Sequence, residues 1–172
     1  CLREKDVVAC EALLRWKHPE RGYISPADFI PIAEKSGFIN ELGAWVLLEA
    51  CCAATTWPPH VRVAVNISPV QLLSKSIYAT VVDALKKSGL SADRLELEVT
   101  ETALLDDSAA TLAALHQLKS LGIKISLDDF GTGYSSLSYL RAFPFDQLKI
   151  DQSFVRDISN RDDCVAIVKA VA

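Results

Sequence analysis

The sequence predicts an α/β fold in which a parallel sheet, wrapped by helices, closes into a barrel. Segments that alternate like strands are followed repeatedly by segments with helical spacing, which is typical of parallel α/β proteins. Several strand segments end on an acid or an amide, and the carboxyl ends of parallel strands are where such proteins bind ligands. An open doubly wound sheet would obey the same rule. The barrel is favoured because no Gly-x-Gly-x-x-Gly or phosphate-loop lysine motif follows a strand, and because polar residues leave several successive strands.

The first third of the chain predicts one strand and two helices. Residues 7–16 form an apolar run with only two charged residues, which predicts a strand that leads into a loop. Ser25 and the proline after it supply an N-cap and a first-turn proline, so residues 27–35 are predicted as a short helix that a glycine ends. Apolar residues at helical spacing predict a second helix over residues 40–55, before a Trp-Pro-Pro sequence.

The rest of the chain repeats one unit, a strand followed by a helix. No linker, low-complexity tract or change in composition interrupts the repeat. We therefore predict a single domain over residues 1–172. The predicted strands are 61–67, 95–100, 123–128 and 147–151, and the predicted helices are 69–88, 108–121 and 135–142.

The composition argues against several classes of function. The chain has 172 residues, half of them apolar, and can bury a real core. Its net charge of −4 offers no basic surface for a nucleic acid polymer. No apolar run approaches the roughly 20 residues of a membrane span, so we expect no membrane insertion by this segment. The five cysteines are an odd number without C-x-x-C spacing, which predicts reduced thiols and a cytoplasmic location.

Acidic and amide side chains at the strand ends predict a site for a hard metal ion. Asn66, Glu98 and Asp128 each follow an aliphatic residue at the end of a strand segment. Because successive side chains of a strand point to opposite faces, all three fall on the face opposite those aliphatic residues. Crowded carboxylates repel one another unless a cation lies between them, and carboxylate and amide oxygens are ligands for hard divalent cations.

Two adjacent aspartates mark the third of these strand ends. Asp128 and Asp129 are followed by Gly131 and Gly133. Neighbouring aspartates on a strand point in different directions, so the pair can serve two metal ions about 3.5–4 Å apart, or one ion and one water. The glycines allow the backbone to turn sharply beside a ligand. An Asx-turn is the simpler alternative, but it accounts for one aspartate and one glycine only.

Five further charged residues lie near the strand ends. Glu101 lies just past a strand and is expected to orient a neighbouring loop, with a helix N-terminal charge as the alternative. Lys149 shares its strand face with Asp151, and a lysine among carboxylates can hold an anionic oxygen or serve only to neutralise them. Glu11 and Arg15 are four residues apart near the first strand end, where the acid is a candidate ligand and the guanidinium a candidate phosphate clamp.

Five of these segments occur in the order of the motifs of a known family. The first is Glu11-Ala12-Leu13, followed by Leu14-Arg15-Trp16. The others are Asn66-Ile67-Ser68, Glu98-Val99-Thr100-Glu101, Asp128-Asp129-Phe130-Gly131-Thr132-Gly133-Tyr134-Ser135-Ser136-Leu137 and Leu148-Lys149-Ile150-Asp151. Any one of them alone would be a weak signal. Together they resemble the EAL domain, the family of bacterial phosphodiesterases of cyclic di-GMP.

The resemblance implies a modified (β/α)8 TIM-type barrel that binds two ions of Mg²⁺ or Mn²⁺ at the carboxyl ends of its strands. One ion would be held by Glu11, Asn66, Glu98 and Asp128, and the second would be reached by Asp128 and Asp129. The implied reaction is an attack by a metal-bridged hydroxide on one phosphodiester of cyclic di-GMP, which gives the linear dinucleotide pGpG.

The resemblance also implies roles for residues around the metals. Lys149 would steady the metal-bound water or the phosphate. Arg15 would meet the substrate phosphate, with Leu14 as a second substrate-binding residue, and Asp151 would meet the guanine. Glu101 would anchor the loop from Asp129 to Ser136, which carries the second metal ligand.

The length of the chain departs from that family. A barrel of this type has about 250 residues, and this chain has 172. We therefore expect a partial barrel that lacks the first and last strands and belongs to a longer polypeptide. We expect sensory or cyclase domains to flank it in that polypeptide. Whether the polypeptide carries a membrane anchor, and whether it forms a homodimer, the sequence leaves open.

Two other functions stay open. The first is a cyclic di-GMP receptor or scaffold that binds without hydrolysing, and this is the function we would expect of the 172 residues in isolation. Degenerate receptors usually lose the signature acid or the loop aspartates, whereas Glu11, Asp128, Asp129 and Glu101 are all present, so we predict a phosphodiesterase for the intact polypeptide. The second is an unrelated metal-dependent barrel lyase with Lys149 as its base.

Overall fold

A parallel sheet forms the centre of the protein in the computed structural model, which describes residues 6–104, 108–131 and 143–156. The sheet curls as half a barrel. Its strands in chain order are β1 (Ala9–Ala12), β4 (Arg62–Asn66), β5 (Leu95–Thr100), β6 (Lys124–Phe130) and β7 (Gln147–Ile150), and they lie side by side in that order. A separate antiparallel pair is formed by β2 (Trp16–His18) and β3 (Gly22–Ile24).

Helices follow the strands in the alternation that the sequence predicts. They are α1 (Pro26–Ser36), α2 (Ile39–Thr55), α3 (Pro69–Leu72), α4 (Ile77–Ser88), α5 (Ser108–Lys119) and α6 (Gln152–Arg156), with 3₁₀ turns at Ala92–Arg94 and Glu101–Leu104. The N-cap of α1 is Ser25, whose side chain accepts a hydrogen bond from the Ala27 N–H, and α1 ends at Gly37 in the left-handed conformation. The α/β class predicted from the sequence is confirmed.

Two predicted elements differ from the structure. The strand predicted over residues 7–16 is shorter in the structure, where β1 covers only Ala9–Ala12. The segment that follows β1 contains the β2–β3 hairpin. The helix predicted over residues 69–88 is divided into α3 and α4, because the Ser74 hydroxyl accepts from the backbone N–H of Ser76 and so competes with helical hydrogen bonding. The helix predicted over residues 135–142 lies outside the described residues.

The two faces of the sheet differ in chemistry. The outer face is aliphatic and packs against α2, α4 and α5 to form the core. Burial of this apolar surface is the main force that stabilises the fold. The inner face carries buried polar residues, among them Glu96, Glu98 and Ser126. Glu96 forms an ion pair with Arg62 at an N–O distance of 3.2 Å.

The described residues include three cysteines, of which one is buried. Cys10, Cys51 and Cys52 are free thiols. Cys51 is fully buried in the core, and this burial raises the pKa of its thiol to about 11. At neutral pH such a thiol is protonated and a poor nucleophile. Among the helices of the described residues, none is long and apolar enough to cross a membrane.

Candidate active site

The strand register brings three of the predicted site residues to one end of the sheet. Asn66 on β4 lies opposite Glu98 on β5. Asp128 on β6 lies opposite Thr100, two residues beyond Glu98. Residues that lie opposite one another share a face of the sheet. The side chains of Asn66, Glu98 and Asp128 therefore project from the inner face, at the carboxyl ends of three adjacent strands.

The edge strand β1 adds Glu11 to this group. Glu11 lies opposite Ala64, two residues before Asn66. The Asn66 side-chain amide donates a hydrogen bond to Glu11 Oε1 at 2.7 Å. Because the amide nitrogen faces Glu11, the amide oxygen faces away from it. Both residues are exposed at the mouth of the sheet.

Glu98 is the buried member of the group. It is 2% exposed, and its Oε2 atom has no hydrogen-bond partner within the described residues. The Lys149 ammonium group contacts Glu98 Oε1 and lies 3.8 Å from Asp128 Oδ2. Burial raises the pKa of Glu98, and the contact with Lys149 opposes this in part. Burial alone would lower the pKa of Lys149, but its contacts with Glu98 and Asp128 outweigh burial and raise it, so Lys149 is a cation at neutral pH.

A bulge in β6 places Asp128 and Asp129 together. Leu127 lies opposite Leu148, and Phe130 lies opposite Ile150. Between these two pairs β6 has two residues, Asp128 and Asp129, whereas β7 has only Lys149. Asp129 adopts a left-handed conformation with a φ of 53°, and its N–H donates to Asp128 Oδ1 at 2.9 Å.

The bulge also brings the charge of Asp129 into the cluster. Burial, followed by the nearby charges of Asp128 and Asp151, raises the pKa of Asp129. The sequence indicated two aspartates that point in different directions. It contained no signal for the bulge that brings both of them opposite the single residue Lys149.

Glu101 lies behind this bulge. It occupies the 3₁₀ turn that follows β5 and is 4% exposed. Its Oε2 atom accepts a hydrogen bond from the Gly131 N–H at 3.0 Å. This contact fixes the backbone directly after Phe130. The rest of the segment that the sequence assigned to Glu101, from residue 132 to Ser136, lies outside the described residues.

The predicted substrate-binding residues lie apart from one another. Leu14 and Arg15 line a cavity of about 340 Å³ that Asn66 and Thr100 also line. The Arg15 guanidinium is exposed and donates to the Leu14 carbonyl at 2.8 Å.

Asp151 lies at the other edge of the sheet, after β7, and caps α6. Its carboxylate accepts from the Ser153 hydroxyl and N–H, and these hydrogen bonds lower the pKa of Asp151.

The cluster has the chemistry of a divalent metal site. Among the described residues, no three acid, histidine or cysteine side chains are grouped closely enough to hold an ion as they stand, and Lys149 lies between Glu98 and Asp128. The donor set nevertheless suits Mg²⁺ or Mn²⁺, because it consists of carboxylate and amide oxygens. The unpartnered Oε2 atom of Glu98 supports this fit, because a buried carboxylate oxygen without a partner is costly unless a cation or donor satisfies it.

Comparison with known proteins identifies relatives of the chain by sequence. The cyclic di-GMP phosphodiesterase PdeR of Escherichia coli is 42% identical over 169 residues, which are 96% of this chain and 26% of the relative. The bifunctional diguanylate cyclase/cyclic di-GMP phosphodiesterase MucR of Pseudomonas aeruginosa is 44% identical, over 96% of this chain and 25% of the relative. An uncharacterized signaling protein of Caulobacter vibrioides is 53% identical, over 96% of this chain and 20% of the relative. The chain thus spans about a fifth to a quarter of these proteins.

Solved structures show the same fold. The PaMucR phosphodiesterase in complex with c-di-GMP superposes with a TM-score of 0.88 at 43% identity, over 95% of this chain and 68% of that one. The EAL enzyme Bd1971 in its cAMP- and cyclic-di-GMP-bound form has a TM-score of 0.90 at 35% identity, over 99% of this chain and 48% of that one. The described sheet is therefore the half-barrel part of a TIM-like fold.

The family assignment agrees with these relatives. The family model of the EAL domain matches residues 1–172. The match covers every motif on which the resemblance was based. The chain belongs to the EAL domain family.

Proposed function

We propose that the protein hydrolyses one phosphodiester bond of cyclic di-GMP to linear pGpG with the help of divalent metal ions. The observation that carries this proposal is the group of Glu11, Asn66, Glu98 and Asp128 at one end of the sheet, with the Lys149 cation between two of the carboxylates. Two relatives, PdeR and MucR, are named as cyclic di-GMP phosphodiesterases, which supports the same reaction and substrate.

The residues present would hold Mg²⁺ or Mn²⁺. Glu11, Asn66, Glu98 and Asp128 would hold one ion, and Asp128 with Asp129 would hold the second. When bound, the two ions supply a nucleophile at neutral pH and neutralise the charge on the leaving oxygen. The protein must then supply oxygen ligands and groups that bind and orient the phosphate.

Lys149 and Arg15 supply the positive charge on the protein side. Lys149 keeps its ammonium charge at neutral pH because Glu98 and Asp128 surround it. A cation fixed in a partly buried site stabilises the negative charge that develops on a phosphoryl group. Arg15 lines the cavity beside Asn66, where its guanidinium would bind a phosphate through two hydrogen bonds.

Glu101 keeps the second aspartate in place. Its hydrogen bond to the Gly131 N–H fixes the backbone two residues after Asp129. Asp129 itself is held in a conformation that is unfavourable for a residue with a side chain. The bulge and the Glu101 contact together preorganise the paired aspartates, which supports their assignment to the second ion.

The direct test uses the protein expressed from its whole reading frame. It is incubated with cyclic di-GMP and Mn²⁺, and the products are separated by chromatography. We expect pGpG to appear in proportion to the substrate consumed. Saturable binding without product would identify a receptor or scaffold and contradict hydrolysis. Absence of both binding and product would reject cyclic di-GMP as the ligand.

Replacing the signature acid tests the metal assignment. We expect Glu11→Ala to lower kcat by about 100-fold or more, because a ligand of the ion that would activate the nucleophile is lost, while the melting temperature changes little. Glu11 is exposed and accepts a hydrogen bond from the Asn66 amide. The matched control is Glu20→Ala, an exposed glutamate of the β2–β3 turn, which should leave kcat unchanged. Unfolding of Glu11→Ala would show that Glu11 serves the fold and not the metal.

A further inference from the structure

A partly buried polar network joins α1, α2 and the segment that follows Asn66. The Ser68 hydroxyl donates to Glu34 Oε1 on α1 at 2.5 Å and accepts from the Val70 N–H at 3.2 Å. The Ser68 N–H donates to the side-chain oxygen of Gln71 at 3.2 Å. Ser68 and Gln71 thus form a complete capping box at the start of α3.

The helix α3 depends on this network. It has four residues, and a helix of that length is not stable by itself in water. Its position must therefore be set by contacts with the rest of the protein. Glu34 supplies one such contact from α1, and Gln71, which is 4% exposed, supplies another against α2.

Gly43 makes the contact with α2 possible. A Cβ atom at Gly43 would lie 1.8 Å from Gln71 Nε2 and 2.7 Å from Gln71 Cδ. No side chain fits in that space while Gln71 keeps its place. Gly43 lies inside α2, where glycine destabilises a helix by roughly 0.5–1 kcal/mol relative to alanine. The close approach of Gln71 gives a physical reason for a glycine at this position.

The network forms one wall of the cavity beside Asn66 of the candidate site. Glu34, Gly43, Ser68 and Gln71 line the 340 Å³ cavity that Leu14, Arg15 and Asn66 also line. Asn66 precedes Ser68 by two residues, and the intervening Ile67 is held by its N–H, which donates to the Glu98 carbonyl at 2.9 Å. Movement of α3 would therefore displace both the cavity wall and the residue next to Asn66.

We infer that Glu34, Gly43, Ser68 and Gln71 are positioning residues that hold the cavity wall in the geometry that binds cyclic di-GMP. This inference rests on the proposed function, because the cavity matters only if the dinucleotide enters it. The four residues act through the Asn66–Gln71 segment. The prediction is a loss of substrate affinity that exceeds any loss explained by stability.

The experiment measures the dissociation constant of cyclic di-GMP by titration calorimetry in the protein expressed from its whole reading frame. We expect Ser68→Ala and Gln71→Ala each to weaken binding by about tenfold, the size typical of residues that orient a binding group. Ser68→Thr, which keeps the capping hydroxyl, should bind within about twofold of wild type. The matched control is Val81→Ala on α4, a fully buried core residue that does not line the cavity. It should lower the melting temperature and leave affinity within about twofold of wild type.

A double variant tests the role of Gly43. Gly43→Ala forces the Gln71 side chain out of place and should weaken binding as much as Gln71→Ala does. In the Gly43→Ala/Gln71→Ala double variant the steric conflict is gone, so its affinity should equal that of Gln71→Ala alone. Effects that simply add would show that Gly43 does not act through Gln71.

The outcomes separate this inference from the proposed function. If wild type binds cyclic di-GMP but Ser68→Ala and Gln71→Ala bind no worse than Val81→Ala, the network serves stability only and the inference is overturned. If wild type itself does not bind the dinucleotide, the proposed function fails and the inference fails with it. Amide hydrogen exchange at Ser68 reports in either case whether the capping box has opened, because its N–H is held by Gln71.

Discussion

Glu98 is the residue of the candidate site in which burial opposes ionisation most clearly. A carboxylate that is 2% exposed is costly to ionise, and only Lys149 among the described residues offsets its charge. Its pKa is raised above the ordinary value. A group of this kind contributes stability below the pKa of the unfolded chain, and that contribution is lost as the pH rises through the pKa of the folded protein. The ionised form of Glu98 therefore destabilises the fold when no cation is bound beside it.

We accordingly expect Glu98→Gln to raise the melting temperature of the metal-free protein at pH 7. Each kcal/mol gained corresponds to about 2–4 °C in a domain of this size. The gain should vanish in acid, below the folded-state pKa of Glu98, because the wild-type Glu98 side chain is then neutral, as glutamine is. Calorimetry in EDTA over a pH series measures both effects.

The control is Glu96→Gln. Glu96 lies on the same strand as Glu98, is buried to a similar degree and accepts a charge-assisted hydrogen bond from Arg62, which the substitution weakens. It should lower the melting temperature. Equal losses in both variants would contradict this account of Glu98.

Side-chain hydrogen bonds hold both ends of β6, the strand that carries Asp128 and Asp129. Gly131 follows the β6 bulge, has a φ of 102° and is fixed by Glu101. The strand β7 is joined to the start of β6 by Asp146, whose carboxylate accepts from the Ile125 N–H at 2.8 Å. Asp146 also forms ion pairs with Lys119 and Lys124. These two contacts position opposite ends of the same strand.

Gly131→Ala should disrupt the site end of β6. An added Cβ would lie 2.6 Å from the Phe154 ring, and the positive φ is unfavourable for alanine. We expect a loss of about 1–3 kcal/mol in the free energy of unfolding, measured in urea, together with a loss of kcat.

The control is Gly122→Ala, which has a similar φ of 88° and meets only the Ala92 methyl group, at 3.9 Å. It should show the conformational penalty alone and keep kcat. Full activity in Gly131→Ala would contradict the anchoring role of Glu101.

Asp146→Asn should remove a pH-dependent contribution to stability. Hydrogen bonds from Lys119, Ile125 and Lys124 lower the pKa of Asp146 in spite of partial burial, which acts in the opposite direction. Stability from such a group is present above the pKa of the unfolded chain and is lost as the pH falls through the folded-state pKa.

At pH 7 we expect Asp146→Asn to reduce the free energy of unfolding by about 1 kcal/mol. The difference from wild type should disappear in acid, below the lowered pKa. Asp83→Asn removes the exposed ion pair with Lys87 and should change nothing measurable. A difference for Asp146→Asn that persists in acid would show that lost packing, not charge, is responsible.

The whole molecule divides its two tasks between the two faces of one sheet. The aliphatic outer face and the helices form the core, whereas the inner face gathers polar side chains that water or a cation must satisfy. A ligand that binds the native state and not the unfolded chain stabilises the protein by mass action. The acids of the cluster come from strands far apart in sequence, so only the folded protein brings them together.

Divalent metal should therefore raise the melting temperature of the protein. At a Mn²⁺ concentration 100 times the dissociation constant, the stabilisation is about 2.7 kcal/mol, or about 5–10 °C in a domain of this size. Differential scanning calorimetry with and without Mn²⁺ measures the shift. Glu98→Gln should lose most of it, and Glu96→Gln should keep it. A shift of equal size in both variants would show that Mn²⁺ binds elsewhere.

The sequence by itself determined the α/β class, the strand β5 residue for residue and the face shared by Asn66, Glu98 and Asp128. These features follow from local periodicity, because the alternation of side chains along a strand does not depend on its neighbours. The order of five motifs was also enough to point to the family. The β2–β3 hairpin and the break between α3 and α4 were missed, because short elements carry little periodic signal.

Only the tertiary structure decided how the site residues meet. Glu98 and Lys149 come from β5 and β7, with β6 between them, so their contact depends on strand order and register. The bulge at Asp129 depends on the same register, and the fit of Gln71 against Gly43 depends on how α3 packs on α2. Local sequence contains no measure of the distance between segments that are remote along the chain. Those contacts become defined only when the core packs and fixes the strands and helices in place.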